Sequence, residues 1–397
     1  MKILSKTYNI SLILFTSSLI ACHSSAYISG RIEGAENKGS KIYLIEPATL
    51  REVAGSYLGK VIDSALVDSD GSFEFQYPPK TKEPVLLELA IQPSGSAPNF
   101  LQVDDPTGSN YMVIVWQWRE NLQITARWDQ FQKSFSIEHP SEINRALLDL
   151  RDINEKAYQT YLAGKNWELE DGSQLLEKED AISQYQKQLI AFANSTPYLM
   201  PALVAMRWVS PADNYEHIPE FLVDLSNKWK KTEPDHPWVK ALCQESDPSN
   251  LPVLVGSVFP NLKLPMISRD TLSLSDLLGK RLTIIDLWAS WCAPCRKENR
   301  EILIPLWDKY HDQGLRIIAI GLESDASSWR GAVKQDGTSD WSQASHVVGD
   351  EEPLLKLMRV QTIPANFILD SQGVVLAKNV HGSALTDWVK DFLKGNK

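Results

Sequence analysis

The feature that most constrains the fold is a pair of cysteines placed directly after an apolar, strand-like segment. Residues 282–288 read L-T-I-I-D-L-W, a run rich in the β-branched and aromatic side chains typical of buried strands. Cys292 and Cys295 follow closely, and a charged segment with helical spacing continues to Glu298. The pattern predicts a buried strand that leads through a turn into a helix beginning at the two cysteines.

A helix start gives the first cysteine a chemical role. The first N–H groups of a helix have no partner within it and carry the positive end of its macrodipole. A sulfur placed there is stabilised as a thiolate, so Cys292 is predicted to titrate below a free thiol and to attack disulfides at neutral pH. Pro294 suits the first helical turn because its missing N–H costs nothing there. Cys295 is close enough in sequence to form a disulfide with the same sulfur.

Other uses of such a pair fit the sequence less well. A zinc site would need two more ligands at suitable spacing, and no second cysteine pair or His-x-x-x-His follows. Haem attachment would need histidine directly after the second cysteine, where Arg296 stands. A purely structural disulfide stays open, although closing so short a loop removes little chain entropy. Redox chemistry, without a metal or a cofactor, is the favoured interpretation.

The composition is that of a soluble globular protein without a nucleic-acid partner. With 397 residues the chain exceeds a usual single domain, so we expect two or three domains. The formal net charge of −10, with no basic stripe, argues against nucleic-acid binding. The chain has 4 cysteines, too few for a disulfide-stapled scaffold. Cys243 is predicted to be a buried, small apolar residue, with a resolving or regulatory thiol as the alternative.

The N-terminus has the pattern of an export signal. Residues 1–21 combine a basic start with an apolar core, which predicts a signal peptide that is removed. The ending L-I-A-C resembles a bacterial lipobox, in which Cys22 is acylated and residues 22–26 form a lipidated tether. Each buried methylene of such an anchor contributes about 0.8 kcal/mol of membrane affinity. An ordinary secretory signal with an incidental Cys22 is the alternative, and no later apolar run is long enough to span a bilayer.

The first part of the mature chain, residues 27–140, carries β signals. Apolar and polar residues alternate, and turn residues separate the strands at short intervals, which favours an antiparallel sandwich or small barrel. Asp70-Gly71 is a hairpin turn signal between the third and fourth strands. The predicted strands are Tyr27–Glu33, Lys41–Glu46, Val61–Asp68, Ser72–Tyr77, Val85–Ile91, Tyr111–Trp118, Leu122–Trp128 and Ser134–Glu138.

Residues 141–250 form a predicted helical region. The period of the apolar residues changes there from two to about 3.6, which indicates amphipathic helices packed on one another. His217 and His236 stand alone in this region and are predicted to be plain polar residues. A segment with Pro and Ser at 247–252 is predicted to be a linker. The predicted helices cover residues 143–161, 175–192, 202–208, 220–229 and 237–243.

From residue 256 to residue 397 strands and helices alternate, as expected of an α/β domain. Two of the strands are predicted to pair as a hairpin across residues 371–373. The predicted strands are Thr283–Trp288, Leu315–Gly321, Ala365–Asp370 and Val374–Ala377. The predicted helices are Ala293–His311, Ala326–Lys334, Pro353–Leu357 and Ala384–Leu393.

This C-terminal stretch resembles the thioredoxin superfamily and, within it, the membrane-anchored TlpA/ResA-like disulfide reductases. The resemblance is carried by W-A-S-W-C-A-P-C-R-K-E at residues 288–298, by the strand before it, and by Thr362-Ile363-Pro364 before a later strand. The whole mature chain looks like lipoproteins that place a β domain and helices ahead of such a module. The resemblance implies a thioredoxin-like fold for residues 256–397.

The resemblance also implies roles for individual residues. Cys292 would be the attacking thiolate and Cys295 the resolving thiol of a redox-active disulfide. Pro364 would be the cis-proline that faces this disulfide, and the extended backbone beside it would pair with a substrate strand. The surface that binds substrate would then comprise Trp291, Ala293, Pro294, Ile363 and Pro364.

Two acidic residues near the dithiol match positions in the family. Asp286 has apolar neighbours on both sides, so burial should raise its pKa. A carboxylate tuned in this way can take the proton from Cys295 when that thiol attacks the mixed disulfide; a purely structural, hydrogen-bonded acid is the alternative. Glu298 matches the acid of ResA-like proteins, and an exposed helix charge is the competing interpretation.

One departure from the family concerns the helix after the dithiol. The proline that usually bends this helix is absent, because Arg300 stands in its place and Pro305 comes five residues later. We therefore expect either a bend further along the helix or an irregular turn.

Two classes of function follow from these observations. The leading hypothesis is a lipid-anchored thiol–disulfide oxidoreductase facing the periplasm of a Gram-negative-type bacterium, and acting as a reductant of protein disulfides. Its implied partners are disulfide-containing periplasmic proteins, a membrane thiol carrier that supplies electrons, and the bilayer that holds the acylated Cys22. The second hypothesis is a binding or scaffold lipoprotein whose dithiol is vestigial or regulatory. A thiol peroxidase is a weaker alternative, since no Pro-x-x-x-Thr/Ser-x-x-Cys pattern precedes Cys292.

Overall fold

The structure, a computed structural model, describes residues 27–36, 39–76, 81–167 and 174–395. The predicted signal peptide, the predicted acylation site Cys22 and the predicted tether of residues 22–26 lie outside these ranges. Among the described residues, no helix is both long enough and apolar enough to cross a bilayer.

In the described part of the N-terminal region there are eight strands, as the alternation of side chains predicted. They form two four-stranded sheets with the orders β4-β1-β7-β8 and β3-β2-β5-β6, and the buried side chains of both sheets belong to one hydrophobic core. A single helical turn, α1 (Phe131–Ser134), precedes the last strand. The strands are β1 (Ile28–Glu33), β2 (Lys41–Glu46), β3 (Lys60–Leu66), β4 (Ser72–Phe75), β5 (Val85–Gln92), β6 (Tyr111–Trp116), β7 (Leu122–Arg127) and β8 (Ser136–Ile137).

The pairing of these strands differs from the prediction in two places. Strands β1 and β7 run parallel, whereas the other pairs in the two sheets are antiparallel. A parallel pair needs a long crossover, and here the chain passes through five other strands between β1 and β7. Asp70-Gly71 does form a tight turn, with Gly71 N–H donating to Asp68 O at 2.9 Å. The strands on either side of it nevertheless join different sheets, so the turn is a corner between sheets rather than the tip of a hairpin.

The helical region contains the predicted helices and packs directly on the β sheets. Its helices belong to the same hydrophobic core as the two sheets. They are α2 (Glu142–Tyr161), α3 (Leu175–Ser195), α4 (Leu199–Val209), α5 (Pro219–Thr232) and α6 (Pro237–Glu245).

Two buried polar contacts tie these helices to strand β6. Asn144 of α2 accepts a hydrogen bond from Val115 N–H and donates to Val115 C=O, both at 2.8 Å, so its amide takes the place of a neighbouring strand at this sheet edge. Trp208 of α4 donates to the Tyr111 hydroxyl at 3.0 Å. The sheets and the helices are therefore joined by specific contacts as well as by apolar packing.

A buried carboxyl in strand β5 should make this region sensitive to pH. Glu88 is fully buried and accepts a hydrogen bond from Ala54 N–H at 2.6 Å. Burial raises the pKa of Glu88 from 4.5 to about 8. The stabilisation that comes from the neutral carboxyl is therefore complete below pH 4.5 and is lost as the pH rises towards about 8.

We expect Glu88→Gln to remove this loss, because glutamine is neutral at every pH. Its free energy of unfolding at pH 8 should exceed that of the wild type by on the order of a few kcal/mol, with little difference at pH 5. Urea unfolding at both pH values measures the effect, and exposed Glu33→Gln is the matched control. An equal change at both pH values would contradict the assignment.

The C-terminal domain is α/β, as predicted, and holds a five-stranded sheet in the order β13-β12-β11-β14-β15. The central β11 runs parallel to β12 and antiparallel to β14. Strands β14 and β15 form the expected hairpin. The strands are β9 (Lys263–Pro265), β10 (Thr271–Ser273), β11 (Leu282–Trp288), β12 (Leu315–Gly321), β13 (Ser342–Ala344), β14 (Ala365–Asp370) and β15 (Val375–Lys378). The helices are α7 (Ala293–Glu298), α8 (Ile304–Tyr310), α9 (Ala326–Asp336), α10 (Pro353–Met358) and α11 (Gly382–Leu393).

Candidate redox site

The two cysteines lie where the central strand meets a helix. All residues of β11 are buried, which explains its continuous apolar run. Helix α7 begins at Ala293, directly after Cys292, which occupies the N-cap position. Cys292 and Cys295 are joined by a disulfide, and Cys295 N–H points at the Cys292 sulfur at 3.3 Å. The first sulfur therefore sits at the helix N-terminus, as the sequence predicted.

The surface around the dithiol exposes the first cysteine more than the second. Cys292 keeps 5% of its surface exposed and Cys295 keeps 2%. Trp291 is 66% exposed, Ala293 is also exposed, and Pro294 is buried in the first turn of the helix. An incoming disulfide therefore has its easier approach at Cys292, beside the exposed indole ring.

Asp286 lies on the strand face that carries the dithiol. Side chains alternate along β11, so Asp286 shares a face with Ile284 and Trp288, which pack in one cluster with Cys292 and Cys295. Burial raises the pKa of Asp286 well above its usual range, and the nearby charge of Glu298 raises it further. One oxygen of the carboxyl, Oδ2, is buried without a hydrogen-bond partner among the described residues. A buried carboxyl whose pKa is raised in this way, on the strand face that carries the dithiol, is a candidate for proton exchange with it.

Glu298 is buried, which excludes the interpretation of this residue as an exposed helix charge. It is 3% exposed and lies one helical turn after Cys295. Its carboxylate contacts His381 Nδ1 at 2.8 Å and accepts a hydrogen bond from Gly382 N–H at 2.9 Å. The charge of Glu298 also acts on Asp286, so the two carboxyls near the dithiol interact electrostatically.

The helix after the dithiol contains the irregular turn expected from the missing proline. Residues 299–303 form a π-helical turn between α7 and α8, and Pro305 stands in the first turn of α8. A π turn often marks a functional site because it shifts the side chains that follow it. Arg296 in α7 and Arg300 within the π turn both bind the buried carboxylate of Asp336, at 2.7 and 2.8 Å.

Pro364 lies at the same edge of the sheet as the dithiol. The Ile363–Pro364 peptide bond is cis, as the family resemblance implied. Leu287 pairs with Ala365, so the end of β11 that leads to Cys292 adjoins the start of β14. Ile363 packs against the hydrophobic cluster that contains both cysteines. The structure thus brings the cis-proline loop and the Cys-x-x-Cys turn, two separate sequence motifs, to one edge.

The carboxylate of Glu323 holds the turn before the dithiol, and this residue was not identified from the sequence. Glu323, 2% exposed, accepts hydrogen bonds from both Ser290 N–H and Ser290 Oγ, the latter at 2.8 Å. It lies two residues beyond the end of the parallel strand β12, whose C-terminal end adjoins that of β11. An acidic residue just beyond the end of a parallel strand beside the motif is a signal that could have identified it.

Two residues of the helical region differ from their predicted environment. Cys243 is only partly buried and accepts a hydrogen bond from Ser226 Oγ at 3.3 Å. His217, predicted to be a plain polar residue, contacts Thr362 and Asn379 of the C-terminal domain. His236 caps α6, where its ring accepts a hydrogen bond from Trp238 N–H.

Within the described ranges, no cluster of three or more His, Cys, Asp or Glu residues could hold a metal ion.

Known proteins resemble the C-terminal domain. Residues 255–378 match the model of the AhpC/TSA family. The thiol:disulfide interchange protein DsbE of Pseudomonas fluorescens is 31% identical over 140 residues, which cover 34% of this chain and 71% of that protein. The thiol-disulfide oxidoreductase ResA of Bacillus thuringiensis is 24% identical over 140 residues, covering 35% of this chain and 77% of that protein.

Solved structures cover the same share of the chain. A thiol-disulfide oxidoreductase from Bacteroides fragilis aligns with 30% identity and a TM-score of 0.32, over 34% of this chain and 98% of that one. The similarity to DsbE spans more than two thirds of that relative, at an identity above 30%. This chain therefore belongs to the family of thiol–disulfide oxidoreductases, and its thioredoxin-like AhpC/TSA domain carries the Cys292–Cys295 pair.

Proposed function

We propose that this protein is a lipid-anchored oxidoreductase that faces the periplasm and reduces disulfides in other proteins. The observation that carries the proposal is the placement of Cys292 and Cys295 at the start of α7, with the buried Asp286 on the same strand face and cis-Pro364 at the same sheet edge. The N-terminal export pattern supports the location, with acylated Cys22 as the anchor.

The first step is attack on the substrate. The Cys292 thiolate attacks one sulfur of the target disulfide, and a mixed disulfide forms while the other target sulfur leaves as a thiolate and takes a proton from solvent. The more exposed position of Cys292 and its place at the helix N-terminus favour this sulfur as the nucleophile. The backbone beside Pro364 would align the target strand so that the three sulfurs lie in line.

The second step releases the reduced product. Asp286 takes the proton from the Cys295 thiol, and the resulting thiolate attacks the Cys292 sulfur. The mixed disulfide breaks, the substrate leaves with both of its sulfurs reduced, and the enzyme is left with the Cys292–Cys295 disulfide. Glu298 assists by keeping the pKa of Asp286 high enough for proton exchange.

A thiol carrier in the membrane would then return two electrons to this disulfide. Its dithiol would attack the enzyme disulfide and become oxidised in turn, so the cycle balances without a bound cofactor. An anchor at Cys22 would keep the redox domain close to such a carrier.

The reduction potential tests the direction of the reaction. Proteins of this fold span about 150 mV, from about −270 mV for thioredoxin to about −120 mV for the oxidant DsbA. We expect a potential on the thioredoxin side of this range, because the sequence resembles disulfide reductases. Equilibration with defined ratios of reduced and oxidised glutathione or dithiothreitol, followed by alkylation and mass measurement, gives the value. A potential close to that of DsbA would contradict the assignment as a reductant and indicate an oxidant instead.

A further inference from the structure

The helical region touches the loop that precedes cis-Pro364. Glu216 Oε1 accepts a hydrogen bond from Gln361 N–H at 2.6 Å. The ring of His217 contacts Thr362 Oγ1 through Nε2 and Asn379 Nδ2 through Nδ1, both at 3.3 Å. Two consecutive residues of the helical region therefore contact two consecutive residues of the cis-proline loop.

Glu216 and His217 belong to a connection that is firmly held in place. Residues 210–218 join α4 to α5, and the buried Tyr215 anchors them by donating its hydroxyl to Met206 C=O at 3.1 Å. Arg207, 3% exposed, forms an ion pair with Asp213 in the same connection. The contacts to the loop thus come from a connection that is itself anchored to α4.

A second set of contacts joins the helical region to the C-terminal domain. Lys378 at the end of β15 pairs with Glu220 of α5 at 2.8 Å and donates to Val253 C=O at 3.0 Å. The side chain of Lys378 is only 6% exposed, and Glu220 also accepts a hydrogen bond from Val255 N–H. The helical region is therefore joined to the hairpin that follows the cis-proline as well as to the loop that precedes it.

The backbone next to cis-Pro364 remains available for a partner. In the described part of the chain, no hydrogen bond uses the N–H or the C=O of Ile363. These two groups can pair with an extended segment of another polypeptide, as in strand addition. Such pairing is stronger when the receiving backbone is already ordered, because less conformational freedom is lost on binding.

We propose that Glu216 and His217 are positioning residues for polypeptide substrates, which makes the helical region a part of the substrate-recognition site. By holding Gln361 and Thr362 they fix the backbone of Ile363 in the geometry that receives the target strand. The proposal rests on the proposed attack of Cys292 on a target disulfide beside Pro364. The helical region would then contribute to substrate recognition, a role that the dithiol itself does not account for.

The test compares a polypeptide disulfide with a small one. We expect His217→Ala to raise KM for insulin reduction by about three- to tenfold, the effect of losing one hydrogen bond, with kcat changed less. The rate with cystamine should change less than twofold, because a small disulfide needs no strand pairing. His217→Gln, which can still donate to Thr362, should restore part of the loss. His139→Ala, an exposed histidine of the β region, is the matched control.

A double-mutant cycle tests whether His217 acts through its contact with Thr362. Thr362→Val removes the hydroxyl that His217 contacts, so it should have the same effect on KM, and combining it with His217→Ala should add little. Fully additive effects, or equal losses with insulin and cystamine, would overturn the inference. Activity of the wild type on cystamine but not on insulin would also overturn it. Inactivity of the wild type on both would instead refute the proposed function.

Discussion

The Cys295→Ser variant is expected to accumulate covalent complexes with its substrates, and Cys292→Ser is expected to form none. Without Cys295 the mixed disulfide on Cys292 has no internal thiol to break it, so the first intermediate persists. Without Cys292 the remaining sulfur is 2% exposed, which leaves little access for a target disulfide. Each variant replaces one sulfur by oxygen, at positions three residues apart, so each controls for the other.

The trapped complexes identify the substrates. Each variant would be produced as the full chain, including the predicted signal peptide. Free thiols would be blocked with an alkylating agent, and complexes would be separated without reductant and identified by mass spectrometry. Cys243→Ser, with both active-site cysteines retained, is a further control for complexes formed through Cys243 itself. This partly buried thiol lies in the helical region. Recovery of no complex with Cys295→Ser, while Cys292 is still alkylated, would contradict substrate reduction and favour the binding or scaffold hypothesis.

Replacing Asp286 by asparagine is expected to slow the second step about a hundredfold and to leave the first step nearly unchanged. Asparagine keeps the shape of the side chain but cannot take the proton from Cys295. In the wild type, the rate of the second step should rise with pH as Asp286 loses its proton, over a range well above the usual range of carboxyl groups. In the variant this rise should shift to the pH at which Cys295 ionises by itself.

Rapid mixing of the reduced enzyme with a disulfide peptide, followed by acid quenching, measures both steps through the formation and decay of the mixed disulfide. Stability provides an independent check of the same substitution. Because burial raises the pKa of Asp286, the stabilisation from its neutral form is lost as the pH rises through the folded-state pKa. Asp286→Asn should therefore be more stable than the wild type above that pH. An equal slowing of both steps, or a loss of stability at high pH, would indicate distortion of the site instead of a missing proton acceptor.

Much of the fold and the centre of the site could be predicted because their signals are local. The apolar run of β11, the two cysteines and the helix after them are contiguous, and a short segment with a matching period determines its own secondary structure. The same holds for the alternating strands of the N-terminal region. The irregular turn at residues 299–303 was one of the two outcomes expected from the absent proline.

The features that could not be predicted join residues far apart in sequence. Glu298 meets His381 and Glu323 meets Ser290 only because the sheet brings the ends of separate elements together. The parallel pairing of β1 with β7 depends on how five intervening strands are shared between two sheets, and local alternation carries no such information. The contact of His217 with Thr362 likewise depends on the packing of two regions of the chain.

The common interior of the sheets and helices has a consequence for how the chain can be divided. Asn144 supplies two backbone hydrogen bonds of Val115 at the border formed by β6, so a fragment that ends at residue 140 would lose this pairing and leave the apolar layer beneath the helices bare. Such a fragment should self-associate, whereas a fragment cut between residues 246 and 256 would keep its interior closed. Any attempt to transplant the redox module, or to obtain the N-terminal half alone, should place the junction in that later window.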